Sequence, residues 1–303
     1  MVGTIPYDPT RTALYSPEKG EPPEDFSAGW DVDWICAELS RLAYYRFERG
    51  DGPRLDAALI RAGFTPAATF IHAPAGAEAI ATTAPNGTAF VACRGTQPDD
   101  LRDLVADARA NPVELRPGAK VHAGFLAAWR AIEAPIGEWL AATKPKRLIF
   151  TGHSLGAAMA TIAAAGRPQA ELVTFGSPLV GDWGFASLLA ETKVRRYVDC
   201  TDLVTAVPPP LLGYVHICPE RYIDRFGKVH APEAIADDRR EGRRAYLRDH
   251  AWKVWRNVML RDLADHAPVN YISGVTGRRA RRPFSPEARS RLKHAAFPPH
   301  CVA

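Results

Sequence analysis

No stretch of the 303 residues is apolar for long enough to cross a bilayer. The first twenty residues contain no apolar core of the kind a secretory leader needs, so a cytoplasmic location is the expectation. Cysteine is scarce and unpatterned. Cys36, Cys93, Cys200, Cys218 and Cys301 are odd in number, far apart and without C-x-x-C spacing. That supports neither a zinc site nor a disulfide framework, and free buried thiols in a reducing compartment are expected. Charge of one sign is not in excess: 38 Lys and Arg against 34 Asp and Glu leave +4, too little to indicate a nucleic-acid partner. Internal repeats are absent as well. What is present is a chain that is 47% hydrophobic, enough to bury a sizeable core.

The chain divides into three parts. Residues 1–25 hold Pro6, Pro9, Pro17, Pro22 and Pro23 and read as an extended arm. Residues 26–275 read as one folded domain. Residues 276–303 form a basic tail, with Arg278, Arg279, Arg281, Arg282, Arg289, Arg291 and Lys293 against Glu287 alone. Within the domain, Ile35, Leu39, Leu42 and Ala43 recur at helical spacing over 30–47. Residues 64–72, 77–83 and 88–93 read as strands, with the turn dipeptide Asn86-Gly87 joining an antiparallel pair. Helices and short apolar strands then alternate: a helix over 121–144, strands at 147–151, 171–175 and 194–199, a helix near 185–190, and a long helix over 237–263. That rhythm predicts an α/β fold, with a mainly parallel central sheet, helices on both faces and an antiparallel N-terminal edge.

The most specific local signal is Gly152-His153-Ser154-Leu155-Gly156. The bare G-x-S-x-G pattern turns up by chance in roughly one chain in ten of this length. Here it follows an apolar strand and precedes the small-residue helical run Ala157 to Ala165, which is the context a nucleophile elbow requires. A nucleophilic Ser154 needs a base, an orienting acid and an oxyanion site. In the order Ser, acid, His, both Asp199 and Asp202 stand at the end of the later strand. His216, His230, His250 and His266 follow them, with His294 and His300 in the tail. His250 falls within a continuing helical pattern, whereas His266 precedes Pro268, which marks a chain break.

These motifs appear in a fixed order: Arg94-Gly95-Thr96, Val121-His122-Ala123-Gly124-Phe125, the elbow, Val173 to Gly181, Asp199-Cys200-Thr201-Asp202, Gly213-Tyr214-Val215-His216, and Asp265-His266 with Tyr271. The set resembles the class 3, fungal-type triacylglycerol lipase family, from about Trp30 to Tyr271. The resemblance implies an α/β-hydrolase fold and a serine ester hydrolase, acting on an ester or lipid substrate without metal or organic cofactor. It implies Asp202 as the acid, His266 as the base, and Thr96 and Leu155 as the oxyanion-hole residues. It also implies a lid at 101–108, where Leu101, Leu104, Val105 and Ala108 recur at helical spacing. A short-chain, phenolic or phospholipid esterase or acyltransferase on the same machinery is the alternative, as is a lipase-like binding protein without turnover. The sequence departs from the family at Cys93, Ala157, Leu179, Leu203 and Thr205. The last two stand where prolines are frequent, and they are expected to loosen the loop that holds Asp202.

Overall fold

The structure, a computed structural model, describes residues 7–20, 31–95, 111–230, 235–250, 252–253 and 255–277. Its centre is an eight-stranded sheet in the order β1-β2-β3-β6-β7-β8-β9-β10. These strands are β1 (Ala68–His72), β2 (Ala77–Thr83), β3 (Thr88–Cys93), β6 (Arg147–His153), β7 (Glu171–Phe175), β8 (Val194–Asp199), β9 (Glu220–Ile223) and β10 (Val229–His230). β1, β2 and β3 are antiparallel; β3, β6, β7, β8 and β9 run parallel; β10 turns back on β9. The expected parallel sheet with an antiparallel N-terminal edge is therefore present.

β6 lies between β3 and β7, covered on both faces, which explains its apolar run at 148–150. Strand alternation sends neighbouring side chains to opposite cores. Phe150 joins Trp129, Ile132, Met159 and Leu172, under helices α4 (Ala123–Thr143) and α5 (Leu155–Ala165). Ile149 joins Trp34, Leu39, Leu42, Val173 and Tyr271, under α2 (Val32–Leu42) and α9 (Pro268–Val275). The alanine-rich composition of α5 lets it lie close against the sheet, and ten of its residues are buried.

Three expectations are corrected. The N-terminal arm is not extended throughout: Arg11–Tyr15 is helix α1, and Ala13 and Leu14 pack with Tyr246, Val258 and Ala267. Main-chain bonds from Arg11 N–H to the Arg256 carbonyl and from Val258 N–H to the Pro9 carbonyl fasten it. The helix expected over 237–263 is two helices, α7 (Ile235–Asp249) and α8 (Arg261–Ala264), with turns between them. There the Pro9 and Thr10 backbone takes up the pairing that a continuous helix would have used internally. The strand expected from residue 64 starts at Ala68. Not anticipated were α3 (Gly52–Arg61), α9, the strands β9 and β10, and the hairpin β4 (Pro112–Arg116) with β5 (Ala119–His122). A short α6 (Trp183–Ser187) sits near the helix expected at 185–190. The proposed lid at 101–108, Thr96, Cys301 and most of the basic tail lie outside the described residues.

Candidate active site

Ser154 stands where β6 turns directly into α5. Its φ of 60° and ψ of −129° are a conformation that L-residues adopt at a cost of about 1–3 kcal/mol. The turn is held by Ser154 N–H donating to the Phe175 carbonyl at the end of β7. The two glycines of the motif are steric requirements. A Cβ on Gly152 would stand 2.4 Å from the Gly156 backbone, and one on Gly156 would stand 2.0 Å from the Cys93 carbonyl oxygen. Neither neighbour is a flexible side chain. Gly156→Ala is therefore expected to destabilise the fold by several kcal/mol, of the order seen for overpacked cores, and to abolish soluble expression or lower the urea midpoint sharply.

Asp202 lies just beyond β8, and His266 lies between α8 and α9. They meet although 64 residues apart: His266 Nδ1 bonds both Asp202 oxygens, at 2.8 and 3.0 Å. A carboxylate only accepts, so Nδ1 carries the proton and Nε2 is left as an acceptor. The Tyr271 hydroxyl donates to Asp202 Oδ2 at 2.6 Å and itself accepts from Asp199 N–H at 3.1 Å. Burial, then the charges of Asp202 and Asp199, push the Tyr271 phenol well above its usual value, so it stays a donor. Asp199, fully buried at the end of β8, thus meets Tyr271 through its backbone. Gly176 leaves room for the pair, since a Cβ there would stand 2.8 Å from Asp202 Oδ2 and 3.0 Å from His266 Nδ1.

The expected looseness around Asp202 is corrected. Asp202 Oδ1 accepts from Val204 N–H at 2.9 Å, and the Thr205 hydroxyl donates to the Asp202 carbonyl at 2.8 Å. Hydrogen bonds thus do the stiffening that prolines would do.

Two buried polar atoms here have no hydrogen-bond partner among the described residues: Ser154 Oγ and His266 Nε2. Buried polar atoms are nearly always paired, and exceptions cluster where a reactant must bind. Gly95 packs against the same place, because a Cβ on it would come within 3.1 Å of Ser154 Cβ and 2.1 Å of the Tyr44 hydroxyl. Leu155 N–H opens α5, where the first N–H groups have no partner within the helix.

A second layer supports these groups. His153 Nε2 donates to the His266 carbonyl at 2.7 Å, so its Nδ1 accepts from the Tyr44 hydroxyl at 2.8 Å. Burial, then the neighbouring His266, holds His153 well below the usual histidine value. His216, bonded to the Thr205 carbonyl, is lowered to about 3 by burial and then by Arg196. Both are therefore neutral in the folded chain and must pick up a proton on unfolding below the ordinary value of 6.5. Their contribution to stability is full above pH 6.5 and is lost as pH falls. For His216 alone the loss between pH 6.5 and pH 5 is about 2 kcal/mol. Urea unfolding should show a lower midpoint at pH 5 than at pH 7.5, where most carboxylates are ionised at both values.

Asp265, beside His266, is fully buried. Its Oδ2 accepts from Arg261 Nε at 2.9 Å and from both the backbone N–H and the hydroxyl of Thr201 at 3.0 Å. Its Oδ1 accepts from the Tyr7 hydroxyl at 2.7 Å. Asp265–Thr201 and His266–Asp202 are thus successive rungs between the same two chain segments. The other histidines weighed for the base are placed elsewhere: His230 pairs with Asp224, and His250 packs between the rings of Tyr7 and Tyr246. Of the cysteines, Cys36, Cys93, Cys200 and Cys218 are free thiols. No cluster able to hold a metal ion occurs among the described residues.

The mostly parallel sheet, with Ser154 at the turn from β6 into α5, is an α/β-hydrolase-like fold. Residues 90–212 match the class 3 lipase family. It is 38% identical over 122 residues to the secreted mono- and diacylglycerol lipase 1 of Fusarium solani, covering 37% of this chain and 36% of that protein. It is 34% identical over 157 residues to the secreted mono- and diacylglycerol lipase A of Penicillium cyclopium, covering 48% and 50%. The chain thus spans half or less of the length of these relatives. Among solved structures it is similar to a triacylglycerol lipase described as having a serine protease triad at its catalytic centre. The TM-score is 0.52 and the identity 25%, covering 63% of this chain and 77% of that one. The expected cytoplasmic location is contradicted by these relatives, which are named as secreted. The thiols behind that expectation are a poor guide to compartment. Cys36, Cys93 and Cys200 are buried, and burial pushes the Cys93 thiol up to about 12, so it is held in its less reactive protonated form. No helix among the described residues is long and apolar enough to cross a membrane.

Proposed function

We propose that the chain is a serine carboxylic ester hydrolase acting on acylglycerols. Ser154 is the nucleophile, His266 the general base and acid, and Asp202 the group that orients the imidazole. The observation that carries this reading is the pair of buried, unpartnered atoms, Ser154 Oγ and His266 Nε2, at the end of the Tyr271–Asp202–His266 relay. Ser154 Oγ attacks the ester carbonyl carbon while its proton passes to His266 Nε2. Negative charge on the former carbonyl oxygen is held by the N–H groups of Leu155 and Thr96; losing one such donor costs on the order of 3 kcal/mol. His266 then protonates the departing alcohol. Water, deprotonated by the same nitrogen, attacks the acyl-serine carbon and releases the acid.

The names of the relatives support acylglycerols as the substrate class. The segment at 101–108 is proposed as a lid whose apolar face meets lipid. The catalytic unit is proposed to span 26–275, with the arm from Tyr7 fastened to it and the basic tail at 276–303 beyond it. A panel of soluble and emulsified esters of increasing chain length tests the reading. The expected result is hydrolysis of mono- and diacylglycerols, with a rise in rate once the substrate forms an interface. Hydrolysis confined to dissolved short-chain esters would overturn the acylglycerol assignment.

A further inference from the structure

Between α7 and α8 four large apolar side chains face outward. Trp252 is 62% exposed, Trp255 75%, Met259 63% and Leu260 51%. The inner side of the same loop is pinned. Asn257 and Val258 are buried, the Tyr246 hydroxyl donates to the Val258 carbonyl at 2.5 Å, and Asn257 Nδ2 donates to the His250 carbonyl at 3.1 Å. The N-terminal strap completes the pinning through Val258 N–H to the Pro9 carbonyl at 2.8 Å and Arg11 N–H to the Arg256 carbonyl at 2.9 Å. The loop is therefore preorganised, and nothing in its folding requires two indoles to face water. Exposed clusters of large apolar groups mark contact surfaces.

We propose that this loop is a docking surface for an anionic lipid interface, separate from any lid at 101–108. Its charge selects that occupant. From Leu247 to Leu260 the charged residues are Arg248, Lys253 and Arg256 against Asp249. Arg248 pairs with Asp249, and Lys253 and Arg256 have no ion-pair partner among the described residues. Lys253 Nζ lies 4.5 Å from the Trp252 ring centre. Indoles flanked by cations match the boundary between acyl chains and anionic headgroups, where the ring enters the apolar layer and the ammonium stays at the phosphate level. A second copy of the chain fits poorly, because a two-fold contact through this loop would set Lys253 and Arg256 against their own counterparts. The loop runs directly into α8 and His266, six residues past Leu260, so docking here would hold the reacting groups at the lipid surface. The proposal rests on the lipid-ester reading of the site.

The test uses the full chain with Ser154→Ala, so that lipid is not consumed. It is sedimented with vesicles of phosphatidylcholine alone, or of phosphatidylcholine and phosphatidylglycerol in equal parts. Binding is expected to the mixed vesicles, weakened by salt. The Trp252→Ala/Trp255→Ala pair should weaken it by about tenfold or more, and Lys253→Glu/Arg256→Glu should abolish the preference for phosphatidylglycerol. Without Ser154→Ala, the tryptophan variant should hydrolyse p-nitrophenyl acetate at the unaltered rate. Failure of the hydrolase reading would appear in that arm, and failure of docking in sedimentation. Undiminished vesicle binding by the tryptophan variant overturns the proposal. So does a dimer that these substitutions dissociate while vesicle binding persists.

Discussion

Ser154→Ala should fold as the natural chain does and lose ester hydrolysis by on the order of 10⁵-fold or more. The size follows from the role: without the oxygen there is no acyl-serine, and only the oxyanion donors and substrate binding remain. The expectation of an intact fold follows from the site. Ser154 Oγ makes no hydrogen bond among the described residues, so its removal leaves none of them unsatisfied and opens a space of only one atom. The strained φ of 60° is the backbone's own and stays with alanine. His266→Ala should lower turnover by a similar factor, and the double variant should be little worse than either single one, because the two groups act as one unit. Steady-state rates on a soluble p-nitrophenyl ester, read beside a thermal unfolding curve, check both halves of the expectation.

The second large effect is on stability. Asp265→Ala should cost about 3–5 kcal/mol, because it leaves the buried Arg261 guanidinium without its carboxylate. It also removes the acceptor of the Thr201 N–H next to Asp202 and of the Tyr7 hydroxyl on the N-terminal strap. Activity should therefore fall even under conditions where the chain remains folded, since the rung beside His266–Asp202 is lost. Replacing Arg261 together with Asp265 by leucine and methionine should recover much of the stability, because no lone charge is then buried. Tyr7→Phe, which deletes one hydrogen bond to a charged group, should cost only about 1.5–3 kcal/mol. Urea midpoints across the set measure the ordering, and an Asp265→Ala chain as stable as the natural one would show that the charge is not held as described.

The central strands were legible because parallel strands buried on both faces are largely apolar, as at 148–150 and in Leu172, Val173 and Phe175. The elbow was legible because its glycines are steric requirements, and such requirements leave a fixed spacing in the sequence. Asp202 and His266 could be narrowed only to a few carboxylates and histidines by chain order; the family pattern chose between them, and the bond at 2.8 Å brings that choice together in space. The brace around Asp265 was not legible. Tyr7 and Asp265 are 258 residues apart, and nothing in a proline-rich arm foretells that its tyrosine reaches a buried carboxylate. The break after Asp249 was hidden too, since Trp252, Val254 and Trp255 fit an apolar helical face. Beyond the helix, residues 256–258 pair through the main chain with the segment 9–11, a tertiary contact with no local signature. Likewise Thr205 replaced an expected proline by a hydrogen bond that depends on the loop being already folded.

The most direct measurement of the proposed triad is covalent labelling with a fluorophosphonate, followed by mass spectrometry of the digested chain. A serine activated by His266 and Asp202 gives a single label on Ser154, formed rapidly in the natural chain and slowed by orders of magnitude in His266→Ala. No label in a folded chain, or a label on another serine at the same rate in both, would contradict it.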